Sequence, residues 1–194
     1  MENPWIVLEN GEKKTVECIN ELVFRFDIYK DKIIKKTSNL LKKENNRKMN
    51  RFSTELLGED FFNNKRIDHS IRFIDHLVGF GVFAEQKIPA FSFIGEYVGE
   101  IRKKNKKEDS DNLYVFRYLR VGLFEPLVID AKYKGNFTRF INHSIRPNLS
   151  AKWIVQDGVY HIILVANRAI DKGEQLTYDY GIGYWRRRAK PLEL

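Results

Sequence analysis

The sequence has little cysteine, and it has no long apolar run. Cys18 is the single cysteine in 194 residues, which excludes an intramolecular disulfide and a zinc site built from several cysteines of one chain. No stretch approaches the roughly 18 apolar residues needed to cross a bilayer. The first ten residues lack the features of a secretory signal peptide. We therefore expect an intracellular, cytoplasmic protein without membrane contact.

Positive charge is in excess. The formal net charge is +8, with basic clusters at residues 42–51, 102–107 and 186–188. Such a surface favours contact with nucleic acid, but charge runs are as often solvated loops and tails. Acidic residues interleave the clusters, for example Glu44, Glu108 and Asp109. We therefore expect no more than a weak nucleic-acid contact through the basic surface.

Residues 1–66 differ in composition from the rest of the chain, being rich in Lys, Asn and Glu. Apolar residues recur there at helical spacing, at Ile19, Leu22, Phe26, Tyr29 and Ile33. Alternation from Leu22 to Ile28 leaves a strand as an alternative. A second helix is predicted over 47–57, stopped by Gly58. The pattern predicts a mainly helical N-terminal extension.

Short apolar or alternating runs follow from Ile67 onward and predict a β-rich fold. Asp157-Gly158 predicts a tight hairpin, because these residues tolerate positive φ. The predicted strands cover residues 71–74, 81–85, 91–98, 113–119, 127–129, 151–155 and 159–165.

Gly79-Phe80-Gly81 is the first motif of interest. Two glycines one residue apart let the backbone bend sharply and approach a ligand closely. A lone motif of this kind is most often only a turn. The third glycine of a dinucleotide-binding loop is absent.

Asn142-His143-Ser144 and the Tyr178-Asp179-Tyr180 segment are the other two motifs. The first reads as a capped turn, since Asn and Ser satisfy local backbone groups. Tyr178 and Tyr180 share one face of an extended segment, a spacing typical of sheet packing. Taken singly, each motif favours a structural role.

In this order, the segments 79–84, 95–100, 135–148 and 171–181 resemble the SET-domain protein lysine methyltransferases. The resemblance implies a mainly β fold, α+β overall, of several small curved sheets with a C-terminal pseudoknot. Residues 67–183 would form the catalytic domain, 1–66 the extension and 184–194 a short segment that closes the site.

The resemblance also implies a reaction, in which S-adenosylmethionine methylates the ε-amine of a lysine in a histone or histone-like protein. It makes Tyr180 the catalytic tyrosine, Tyr178 the residue that limits the product to mono- or dimethyllysine, and Tyr114 a further channel tyrosine. For Tyr114, an ordinary strand aromatic is an equal alternative. The implied cofactor-binding residues are Gly79, Phe80, Gly81, Tyr97, Arg139, Phe140, Asn142, His143, Tyr180 and Trp185.

The chain departs from the chromatin enzymes of this family where they carry zinc-binding cysteines. Ile145 follows Ser144, and no cysteine-rich segment follows Gly181. We therefore expect no metal, and Trp185 is assigned to the adenine side of the site. The chain resembles compact zinc-free SET proteins of bacteria, including chlamydiae, and of viruses, which suggests a bacterial effector acting in a host nucleus.

Two further expectations concern partners. The extension is predicted to cover the peptide groove, to mediate homodimerisation or to pack beneath the sheet. The alternative function is a non-catalytic SET-like module that binds chromatin or nucleic acid.

Overall fold

The computed structural model describes residues 5–9, 12–122 and 125–185. These residues form small sheets, two long helices and a short C-terminal helix. The strands are β1 (Trp5–Glu9), β2 (Glu12–Cys18), β3 (Val23–Phe24), β4 (His69–Asp75), β5 (Gly79–Ala84), β6 (Phe93–Glu96), β7 (Glu100–Lys103), β8 (Val115–Gly122), β9 (Glu125–Asp130), β10 (Lys134–Gly135), β11 (Asn142–His143), β12 (Leu149–Gln156), β13 (Val159–Ala166) and β14 (Thr177–Tyr178). The helices are α1 (Asp27–Leu41), α2 (Glu44–Phe62) and α3 (Ile182–Trp185), and a 3-10 turn covers Phe137–Phe140. No helix of this part of the chain could span a bilayer.

The strands pair in four sheets, with the orders β1-β2-β10, β3-β7-β9-β8, β4-β5 and β11-β14-β12-β13-β6. The last sheet decides the geometry of the site. Its strand β14 follows every other strand in sequence, yet it lies between β11 and β12 and pairs with both in parallel. This insertion brings Tyr178 directly beside His143.

The predicted strands from residue 71 onward are confirmed, with shifted bounds. The predicted hairpin between β12 and β13 is also confirmed. Asp157 and Gly158 have φ of 51° and 77°, and the flanking Gln156 and Val159 pair. These are the positive values that a primed hairpin turn requires.

The N-terminal prediction is correct only in part. Helices α1 and α2 are present, but the first helix begins at Asp27, and Val23–Phe24 is a strand paired with Glu100–Ile101. Pairing with a distant strand therefore overrides the helical pattern around Leu22.

The predicted stop at Gly58 is wrong, because α2 continues to Phe62. Gly58 is buried, and a Cβ there would lie 3.1 Å from the Phe62 ring and 3.2 Å from Thr54 Cγ2. The glycine thus permits close packing within the helix. The C-cap of the helix is Asn63, and the next residue, Asn64, has the positive φ of 47° that is typical after a helix end.

The core lies between the sheets and beneath α1 and α2. One cluster joins β5, β13 and the 3-10 turn, and includes Val82, Ile94, Leu164 and Tyr178. A second cluster places Ile33 of α1 against the β7-β9-β8 sheet. The extension therefore packs on the same sheets that hold the C-terminal motifs.

Candidate active site

The two glycines of the first motif have different constraints. Gly79 has a φ of 78°, and a Cβ placed there would meet only open space. At Gly81 a Cβ would lie 2.6 Å from Ile74 Cδ1 and 2.7 Å from Gln175 Nε2. Gly79 therefore provides the bend, whereas Gly81 permits close packing against the C-terminal segment.

Asn142 joins this bend to the C-terminal strand. Its Nδ2 donates a hydrogen bond of 2.9 Å to the carbonyl of Phe80. Its backbone lies in β11, beside Thr177 of β14. The glycine bend and the two later motifs, distant in sequence, thus meet at one place.

Tyr180 is fixed at both ends. Its phenol donates a hydrogen bond of 2.9 Å to the carbonyl of Ile141, and its backbone N–H donates one of 3.2 Å to Nδ1 of His143. The second bond requires that Nδ1 carry no proton. The Trp185 ring lies nearly parallel to the Tyr180 ring at 6.1 Å and contacts His143 at 4.8 Å, centroid to centroid.

A cavity of about 360 Å³ opens beside Tyr180. Its aromatic wall is continuous, since Phe116 lies 5.0 Å from Tyr97 and 6.0 Å from Tyr178, and Tyr178 lies 4.8 Å from Tyr180. Among the predicted site residues, those that line it are Tyr97, Arg139, Tyr178 and Tyr180.

Burial keeps the phenols of this wall neutral. Loss of hydration raises the pKa of Tyr178 and of Tyr180 well above its ordinary value, and the neighbouring phenols raise it further. The pKa of Tyr97 is also raised, chiefly by burial. At neutral pH the tyrosines therefore act as hydrogen-bonding groups and not as phenolate bases.

Tyr114 and Phe140, two of the predicted residues outside the cavity lining, contact residues of the site from the core. The Tyr114 ring stacks under the guanidinium of Arg139, with 3.7 Å between the guanidinium carbon and the ring centroid. Phe140 is buried in the core, in edge contact with Trp5 and Phe80. Tyr114 therefore supports Arg139 from behind, and Phe140 supports the glycine bend.

The remaining predicted residues form a second group beside Tyr180. Gly79, Phe80, Gly81, Asn142, His143 and Trp185 are connected through the Asn142–Phe80 hydrogen bond and the His143–Trp185 contact, and they do not line the cavity.

Sequence reasoning missed several residues of the cavity wall. Leu113 and Phe116 line it. Tyr184, the first residue of the segment predicted to close the site, lines it as well, and its ring lies 4.7 Å from the Tyr180 ring. Phe116 lies in the predicted strand 113–119, but Tyr114 precedes β8, so strand alternation does not separate the two residues.

Asn148 was also missed as a functional support. Its Nδ2 donates to the carbonyl of Gln175 at 2.8 Å, and its Oδ1 accepts from the N–H of Thr177 at 2.9 Å. This side chain is buried, and its two hydrogen bonds fix the backbone of the segment that leads into Tyr178 and Tyr180. Its position just after Pro147, close to the Asn142 motif, was the available signal.

The expected basic cluster at 102–107 is not wholly at the surface. Arg102 is buried and forms ion pairs with Asp109 and Asp130. Asp109 in turn accepts from the N–H of Asn105. This network fixes the segment that brings Lys104 and Leu113 to the cavity wall. Within the described ranges, no group of three or more His, Cys, Asp or Glu side chains could hold a metal ion.

Comparison with known proteins identifies the family. A family model described as SET domain matches residues 79–181, more than half of the chain. The chain belongs to the SET-domain family. The predicted family is therefore confirmed, and the match contains the glycine bend, Asn142 and Tyr180 of this SET domain.

Similar proteins share the SET domain over part of their length. The chain is 44% identical over 112 residues to Histone-lysine N-methyltransferase ASHH3 of Arabidopsis thaliana, covering 53% of this chain and 29% of the relative. It is 34% identical over 126 residues to the H3 lysine-36 specific histone-lysine N-methyltransferase of Schizosaccharomyces pombe, covering 61% and 15%. The chain thus spans less than a third of either relative.

A solved structure resembles the fold. The crystal structure of KRYPTONITE in complex with mCHH DNA, H3(1-15) peptide and SAH matches with a TM-score of 0.51 and 31% identity, over 65% of this chain and 25% of that chain. The predicted SET fold, built mostly from small β-sheets, is confirmed. The likeness to compact bacterial and viral proteins stays a prediction.

Proposed function

We propose that this SET domain transfers a methyl group from S-adenosylmethionine to the ε-amine of a lysine in a histone or histone-like protein. The observation that carries the proposal is the double anchoring of Tyr180 in the wall of an aromatic cavity, beside the glycine bend. The names of the relatives support it, as does the KRYPTONITE complex, which contains SAH and an H3 peptide.

The residues beside Tyr180 fit a cofactor. The space over Gly79 would admit a ligand close to the backbone, and the buried Nε1 of Trp185 has no hydrogen-bond partner among the described residues. Gly79, Asn142, His143 and Trp185 would hold the cofactor here. When bound, S-adenosylmethionine supplies the electrophilic methyl group.

The side chains of the cavity prepare the lysine amine. An ε-amine has an ordinary pKa of about 10.4 and can attack only in its neutral form. The aromatic part of the wall disfavours the ammonium ion and lowers that pKa. The hydroxyl of Tyr180 donates a hydrogen bond to the carbonyl of Ile141. The phenolic oxygen can therefore accept a hydrogen bond from the amine, and this contact orients the lone pair of the amine nitrogen.

Replacement of Tyr180 by phenylalanine tests this assignment. The ring would keep its contacts, but the oxygen that orients the amine would be lost. We expect kcat on an H3 peptide to fall by about 10²-fold or more, as for loss of one positioned polar group. Transfer of labelled methyl groups measures the change, and Tyr133→Phe, which removes an exposed phenol, is the matched control.

The alternative is a non-catalytic module that binds chromatin or nucleic acid. It predicts equal, background transfer by the wild type, Tyr180→Phe and Tyr133→Phe. That outcome would refute the enzymatic proposal.

A histone substrate would also place the activity inside a cell, in keeping with the expected intracellular location, whereas host-nuclear action and homodimerisation stay predictions.

The product of the reaction is proposed to be mono- or dimethyllysine. Tyr178 lines the cavity next to Tyr180, and its hydroxyl reduces the room for further methyl groups. Tyr178→Phe should therefore shift the product toward higher methylation, with little change in unfolding temperature. Mass spectra of the peptide product measure this shift, and an unchanged product distribution would contradict the role of Tyr178.

A further inference from the structure

Residues 27–51, which cover α1 and the first part of α2, carry most of the net charge of the chain. We call residues 27–51 the basic hairpin. They contain nine Lys or Arg and three Asp or Glu, a net charge of +6 out of +8 for the whole sequence. Its two helices are joined by only Lys42 and Lys43.

Internal ion pairs account for only some of these cations. Lys32, Lys48 and Arg51 pair with Glu125, Glu44 and Glu55, respectively. A further set is exposed and forms no ion pair with a described carboxylate: Lys35, Lys36, Lys42, Lys43 and Arg47. The cluster at 102–107 differs in part, since Arg102 is buried between two carboxylates, whereas its lysines are exposed.

These five cations form one patch at the closed end of the hairpin. Lys35 and Lys42 are seven residues apart and share a face of α1. Lys43 is the N-cap of α2, and the N–H of Arg47 donates to its carbonyl at 3.0 Å. The patch therefore includes the two residues that join the helices and the first turn of α2.

The opposite face of the hairpin is held rigidly. Ile33 and Thr37 of α1 are buried, and the Thr37 hydroxyl donates to the carbonyl of Gly158. Leu57 and Phe61 of α2 are buried against β6 and β12. The patch is thus presented on a fixed backbone, so binding would cost only the ordering of the lysine side chains.

We propose that the basic hairpin binds the phosphate backbone of duplex DNA. Duplex DNA carries one charge per about 1.7 Å, and cations without internal partners gain most from displacing its counterions. A histone tail is itself cationic and would be repelled by this patch. The choice of DNA over other polyanions rests on the proposed function, because histones are found on DNA.

An anionic membrane fits this patch less well. An interfacial helix inserts an apolar face into lipid, but the apolar side of α1 is already buried against the sheets. The surface that carries Lys35 and Lys42 is otherwise polar, with Ser38 and Asn39 exposed. Met49, Phe52 and Leu56 of α2 are exposed, so a membrane arm belongs in the test.

The test compares two quadruple variants of the full chain for binding to a fluorescently labelled DNA duplex of about 25 base pairs. The first is Lys35→Gln, Lys36→Gln, Lys42→Gln and Lys43→Gln. The control removes equal charge from exposed lysines elsewhere, as Lys106→Gln, Lys107→Gln, Lys152→Gln and Lys172→Gln. Anisotropy is measured across salt concentrations, after both variants are shown to unfold at the wild-type temperature.

The hairpin variant should lose at least about tenfold in affinity, and its slope of log K against log salt should fall by roughly 3 to 4, near 0.9 per lost phosphate contact. The control should change the slope by less than about one. Equal slopes for the hairpin variant and the wild type, or equal losses in both variants, would overturn the proposal. Tighter binding of the wild type to phosphatidylserine vesicles than to the duplex would also overturn it.

Methyl transfer to a free H3 peptide separates this inference from the proposed function. The four lysines of the hairpin variant do not line the cavity, so this variant should match the wild type in this assay. If the wild type transfers no methyl group while only the hairpin variant loses DNA binding, the methyltransferase proposal is refuted. The proposal that the basic hairpin binds DNA is then retained.

Discussion

Tyr180 is held by the segment that also holds the glycine bend. The carbonyl of Ile141 accepts from its phenol, and the next residue, Asn142, donates to the carbonyl of Phe80. His143 then accepts from the N–H of Tyr180. Three consecutive residues thus set the position of the phenol relative to the bend, and a shift of this segment would displace both. Misplacement by about 1 Å can cost a large factor in rate.

His143 should therefore position Tyr180 in addition to its implied contact with the cofactor. His143→Ala removes the acceptor for the Tyr180 N–H and the ring that contacts Trp185. A lost hydrogen bond of this kind corresponds to about 1 kcal/mol, so we expect kcat to fall by roughly 5- to 10-fold. Steady-state kinetics on an H3 peptide at saturating cofactor measure this fall.

His143→Asn is the matched variant, because its Oδ1 can take the place of Nδ1 as acceptor. It should recover most of the kcat lost in His143→Ala while keeping any loss in cofactor affinity. Equal kcat for His143→Ala and His143→Asn would contradict the positioning role.

At the scale of elements, local pattern predicted the C-terminal strands well. Alternation and the Asp157-Gly158 turn are local signals, and β12 and β13 pair across that turn without a shift of register. Other strands depend on remote partners, and only the alternation from Leu22 to Ile28 pointed to β3. Val23 pairs with Glu100, and Lys134 with Glu17, so their partners are remote in sequence. Chain topology, not propensity, decides these strands.

Part of the site was predictable, because it lies in short local motifs. Asn142, His143, Tyr178 and Tyr180 lie in short motifs whose order carries the resemblance, and the structure brings them together. Tyr114 precedes β8, and the position of its ring is set by stacking on the buried Arg139, a contact that no local pattern reports.

Helix α1 provides a test of how firmly the extension is packed. Ile33 is fully buried, at 0% exposure, whereas Ile28 on the same helix is 53% exposed. Ile33→Ala should lower the free energy of unfolding by about 2–5 kcal/mol through lost burial and a cavity. Ile28→Ala should change it by less than about 0.5 kcal/mol. Denaturant titration measures both, and similar effects of the two substitutions would show that α1 is not packed as described.

For the whole molecule, the extension and the matched SET region share one core. Val16 packs in the cluster that contains Tyr178, Ile33 packs against the β7-β9-β8 sheet, and Leu57 and Phe61 cover β6 and β13. Burial of each such side chain contributes about 1.5–3 kcal/mol, so these four contribute roughly 6–12 kcal/mol. That is comparable to the whole free energy of unfolding of a typical domain, about 5–15 kcal/mol.

A fragment of residues 67–194 should therefore fail to fold cooperatively, even though it contains the entire matched region. Its sheets would expose the surfaces that α1, α2 and β2 cover, and β7 and β10 would each lose a paired strand. We expect weak near-ultraviolet circular dichroism, binding of an apolar dye and no sharp thermal transition, with the full chain as control. Addition of a separate peptide of residues 1–66 should restore part of the transition. A fragment that unfolds as sharply as the full chain would instead show that residues 1–66 are an independent addition to a self-sufficient SET domain.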